Sequence, residues 1–78
     1  MINFYDVACD ALGLAIHETT QEKTLNWLNL KYDPKPNDIP KLLEIVRLAY
    51  HAIPDGVASV KLGDFRERAE FILFQLEK

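Results

Sequence analysis

The stretch I-P-K-L-L-E-I-V-R-L-A-Y-H-A-I, Ile39 to Ile53, decides the fold. Ile39, Leu42, Leu43, Val46, Ala49, Tyr50 and Ile53 recur at spacings of three and four, with Lys41, Glu44, Arg47 and His51 between them. That is the period of a helix with one apolar face. Ile45, Leu48 and Ala52 widen the apolar arc, as expected of an element touched by more than one neighbour, so this segment reads as the central helix. Pro40 lies in its first turn, where the backbone N–H has no intrahelical partner anyway, and Asn37 or Asp38 is placed to cap it.

Upstream, Pro34, Pro36 and Pro40 make D-P-K-P-N-D-I-P a stiff connector, because each fixes φ and removes a donor. Before it, Thr19 and Glu22 fit the capping box S/T-x-x-E. The second helix is expected from about Thr20 to Tyr32, ending at Asp33-Pro34, since a residue before proline is pushed out of the helical region. Leu25, Leu28 and Tyr32 form its apolar stripe, while Trp27 and Leu30 fall on nearly the opposite side. This helix is apolar on two faces.

The first segment carries Phe4, Val7, Ala8, Ala11, Leu12 and Ala15 on one helical face, with Asn3 as N-cap and Asp6 in the first turn, where a carboxylate complements the helix dipole. Gly13 costs that helix about 1 kcal/mol relative to alanine. Downstream, P-D-G at Pro54 to Gly56 signals a turn, and V-A-S-V-K-L, Val57 to Leu62, is too short for periodicity to separate a short helix from an extended piece. Gly63 closes that stretch, and Asp64 with Glu67 starts a last helix whose stripe is Phe65, Ala69, Ile72, Leu73 and Leu76. Phe71 and Phe74 point away from that stripe. The expectation is an all-α fold, a small bundle of four helices with a fifth short helix after Gly56 left open, in one domain spanning residues 1–78.

Composition bounds the function. A chain of 78 residues buries only about 60 to 65% of its unfolded surface, which leaves no room for a second core. A hydrophobic fraction of 49% predicts folding, and the net charge of -3 provides no general attraction for phosphate backbones. Lys31, Lys35 and Lys41 near the connector, or Arg66 with Arg68, are the basic candidates. The connector is longer than a helix-turn-helix allows, so nucleic acid ranks only as a remote alternative. One cysteine, Cys9, makes neither an internal disulfide nor a C-x-x-C pair, which favours a reducing, cytoplasmic setting. With no basic-then-apolar leader and no apolar run near the roughly 18 residues of a membrane helix, a soluble protein without membrane contact is expected.

No stretch carries a catalytic, cofactor or metal motif. Cys9 with His17 or His51 is the one conceivable nucleophile and base, but a helical cysteine usually packs as a small hydrophobe. The histidines are read as helix ends whose rings meet the last carbonyls. Asp6 and Asp10, at i and i+4, could chelate a hard cation, although such pairs are usually solvated. The expectation is therefore a non-enzymatic protein without a cofactor. Trp27, Leu30, Phe71 and Phe74 are the expected protein-interaction residues, rimmed by Lys23, Lys31, Glu70 and Gln75, since aromatics on the outer faces of small helical domains anchor interfaces. The partner is another protein or a second copy, unless the segment from Val57 to Leu62 folds back over one of these faces.

One stretch carries a family likeness. A-L-G-L-A-I-H-E-T-T-Q-E-K-T-L-N-W-L-N-L-K-Y-D, Ala11 to Asp33, resembles the opening of small tailed-phage head-to-tail adaptor proteins, with Glu18-Thr19 and Leu28-Asn29 in the positions of that pattern. The second helix is about one turn shorter than the pattern, and Gly13 is displaced relative to the family glycine. The resemblance implies a helical subunit of a ring assembly and transfers no functional residue. It sets the alternative reading, a structural subunit of a homo-oligomer, beside the leading one, a phage or bacterial accessory protein acting as an interaction or regulatory module.

Overall fold

The computed structural model describes residues 2–17, 20–52 and 62–77, with the backbone alone at 52 and 62–65. Among these residues the chain forms four helices and no strand: α1 (Phe4–Ile16), α2 (Gln21–Tyr32), α3 (Ile39–Ala52) and α4 (Leu62–Leu76). The all-α bundle expected from the periodicity is what forms. Ile53, the P-D-G turn, the segment from Val57 to Lys61 with any fifth helix, and the Phe65 side chain lie outside the described set.

Local signals set most of the helix ends. Asn3 caps α1 by accepting from the backbone N–H of Tyr5 at 3.0 Å and Asp6 at 3.4 Å, and His17 closes its far end. At α2 the cap is Thr20, whose hydroxyl accepts from Lys23 N–H at 3.2 Å. The expected box thus shifts by one residue, and Lys23 at its third helical position has no carboxylate to return to the cap. α2 ends at Asp33, which takes the left-handed region at φ 47 and donates its N–H to the Asn29 carbonyl at 3.0 Å. In the connector Asp38 N–H bonds the Lys35 carbonyl at 2.8 Å, and the Asp38 carbonyl accepts the first α3 bond, from Leu42 N–H at 3.0 Å. α4 begins at Leu62, earlier than the Asp64 cap expected. Gly63 and Asp64 lie in its first turn.

α1 and α3 pack against each other, and each also packs against both α2 and α4, whereas no contact joins α2 to α4 among the described residues. The core is their shared seam: Val7, Ala8, Ala11 and Leu12 of α1, Leu28 of α2, Leu42, Ile45, Val46 and Ala49 of α3, and Ala69 and Ile72 of α4. The central role expected of α3 is therefore shared with α1. The fold measures 35 × 26 × 17 Å. α1 and α3 are covered on several sides, whereas α2 and α4 flank them and keep their outer sides open to water.

α3 departs from its expected stripe in an informative way. Ile45 is buried, while Ile39 and Leu43, assigned to the core from spacing, are 41% and 48% exposed. The spacing fits either assignment, and the positions of α1 and α2 choose between them. Thr24 is the other departure, a polar residue with no accessible surface whose hydroxyl lies 2.7 Å from the Tyr50 hydroxyl. That bond lets a threonine share the buried face of α2 with Leu28, where an unpaired hydroxyl would cost about 1 to 3 kcal/mol. Among the described residues no buried side-chain nitrogen or oxygen lacks a partner.

Candidate functional site

Trp27, Leu30, Phe71 and Phe74 all lie on the outward sides of their helices, 44%, 85%, 59% and 59% exposed. They form two surfaces, one on α2 and one on α4, because those helices do not meet. On α2, Lys23 precedes Trp27 by four residues and Lys31 follows it by four, so a lysine stands one turn to either side of the indole. On α4, Glu67 precedes Phe71 by four and Glu70 precedes Phe74 by four, which puts a carboxylate one turn before each ring. Lys23, Lys31, Glu67 and Glu70 are all exposed.

One contact of Trp27 comes from its own helix. The Lys31 ammonium lies 4.9 Å from the centroid of the indole and 5.3 Å from that of Tyr32, and it donates to Asp10 of α1 at 2.8 Å. The Tyr32 hydroxyl donates to the same Asp10 oxygen. Asp10 is therefore an acceptor tying α2 to α1 and does not stand as a solvated partner of Asp6. Tyr32 titrates well above an ordinary tyrosine, chiefly through burial and then through its bond to the carboxylate. Sequence gave no warning of this network, since its members lie 21 and 22 residues apart.

Of the connector lysines considered for nucleic acid, Lys31 is held as described and Lys41 lies 5.3 Å from the Phe4 ring centroid. Lys35 lines an open groove of about 590 Å³ with Ile2, Phe4, Tyr32, Asp6 and Asp38, a lining of mixed sign. Arg47 pairs with Glu44 on its own helix, which lowers the carboxyl and raises the guanidinium. The Cys9 thiol is pushed up by burial, and the nearby Asp6 and Asp10 charges add to the rise. Less thiolate forms at neutral pH, which weakens it as a nucleophile. His17 and His51 sit at the ends of α1 and α3, both exposed. Among the described residues no three His, Cys, Asp or Glu side chains gather closely enough to hold a metal ion, and no helix is long and apolar enough to cross a membrane.

Ile39 and Leu43, spaced i and i+4 on α3, are exposed apolar residues that the periodicity had placed inside. No family model matches this sequence, and no curated protein or solved structure shows significant similarity to it.

Proposed function

We propose that this protein is a non-catalytic interaction module that binds other polypeptides through Trp27 and Leu30 on α2 and Phe71 and Phe74 on α4. The observation that carries the reading is the exposure of these four large apolar side chains on the outer sides of α2 and α4. Exposed aromatics with charged rims are the usual anchors of interfaces. The net charge of -3 and the internal engagement of Lys31 and Lys41 speak against nucleic acid as the main partner. The lone cysteine fits a reducing compartment, which supports a cytoplasmic location. The likeness of Ala11 to Asp33 to head-to-tail adaptors supports a phage or bacterial accessory role.

Affinity capture from native lysate, comparing the protein with a Trp27→Ala/Phe71→Ala variant of unchanged helicity, tests this reading. Loss of a specific companion is the expected result, with each central anchor contributing on the order of 2 kcal/mol. An identical set of captured proteins would remove these residues from the interface.

A further inference from the structure

We infer that the α2 and α4 faces are made for each other on different copies of the chain, so that the protein associates head to tail. This rests on the reading of those faces as interaction surfaces and names the occupant as a second copy. The α2 strip is aromatic and basic, with Lys23 and Lys31 one turn either side of Trp27. The α4 strip is aromatic and acidic, with Glu67 and Glu70 one turn before Phe71 and Phe74. Arg68, three residues before Phe71, stands one turn from that ring on the side away from Phe74, so the two glutamates outnumber one arginine along the strip, and Arg66 is turned about 140° from Phe71.

Sign decides which pairing forms. Two α2 faces together oppose lysine to lysine, and two α4 faces oppose glutamate to glutamate, both costly across an interface. An α2 face on an α4 face opposes lysine to glutamate and stacks Trp27 and Leu30 on Phe71 and Phe74. Among the described residues of one chain the two helices do not touch, so the match is satisfied between copies. Such a contact uses two different patches and is heterologous, which generates a closed ring or an open filament according to the rotation between neighbours. A single-helix strip covers less than the roughly 800 Å² per partner of a standard interface, so the assembly grows with concentration. Lys31 already shares its charge with Asp10, which makes Lys23 the cation whose reversal matters most.

Sedimentation analysis from micromolar to millimolar protein at low salt tests the pairing. The average mass of the wild type rises with concentration and falls as salt is added. Trp27→Ala/Leu30→Ala and Phe71→Ala/Phe74→Ala variants are each monomeric alone, but their mixture gives a one-to-one dimer, since each retains the face the other lacks. Lys23→Glu or Glu70→Lys alone lowers the association constant roughly fivefold, and the two reversals in one chain restore it. These exposed charge reversals carry the test if the alanine variants lose helicity. A wild type that stays monomeric at millimolar concentration overturns the pairing, as does an α4-face variant that still self-associates or a mixture that does not dimerise. A monomer would leave both faces open to a different protein, which the capture experiment reports separately.

Discussion

Lys31 of α2 donates to Asp10 of α1 at 2.8 Å while its ammonium lies between the rings of Trp27 and Tyr32, 4.9 and 5.3 Å from their centroids. The most exposed aromatic of α2 is therefore coupled to the contact that holds α2 on the bundle. Trp27→Ala should weaken stability slightly, by about 0.5 to 1 kcal/mol through the lost cation–π contact, in thermal unfolding of the purified protein. A loss above about 3 kcal/mol would mean that the indole serves the core.

Tyr32 makes stability depend on alkaline pH. Folding raises its titration point, so the folded state holds the phenolic proton more tightly than the unfolded chain. The stabilisation is complete below the ordinary tyrosine value of about 10 and is lost as pH rises from there through the higher folded value. Burial raises Cys9 too, with the same sign. Tyr32→Phe should flatten the alkaline limb of a plot of stability against pH, and a variant with an unchanged limb would show that folding does not raise the Tyr32 titration.

The buried Thr24 hydroxyl and the Tyr50 hydroxyl, 2.7 Å apart, should be energetically coupled. In a double-mutant cycle of Thr24→Val and Tyr50→Phe, the coupling is expected at about 0.5 to 1.5 kcal/mol. Additive effects within about 0.3 kcal/mol would dissociate the pair.

Asp33 holds a left-handed backbone at φ 47 at the end of α2. Asp33→Gly removes the Cβ conflict and should leave the protein as stable or raise it by up to about 1 kcal/mol, whereas Asp33→Val should cost about 1 to 2 kcal/mol. Denaturant midpoints at constant slope measure both. Equal midpoints for the two variants would show that α2 does not need this cap.

On α3 the burial pattern predicts opposite responses to the same truncation. Ile45→Ala should cost about 2 to 4 kcal/mol, a large share of the roughly 4 to 12 kcal/mol expected for a domain of this size, and Leu43→Ala under about 1 kcal/mol. Chemical denaturation ranks them directly. A reversed order would mean that α3 is rotated from the orientation described.

The sequence by itself determined the four helices, most of their ends, the α1 core face and the two-faced character of α2 and α4, because periodicity, caps and prolines act within a few residues of where they stand. Asn3 behaves as its chemistry dictates wherever the helix packs. Only the tertiary structure decided that Ile45 and not Leu43 goes inside, that Thr24 belongs to the core, and that Asp10 holds Lys31 and Tyr32. Each of those outcomes depends on which neighbouring helix lies over a position. The separation of α2 from α4 is of the same kind: each flank carries an aromatic strip visible in the sequence, but only the packing order puts them on helices that share no contact among the described residues.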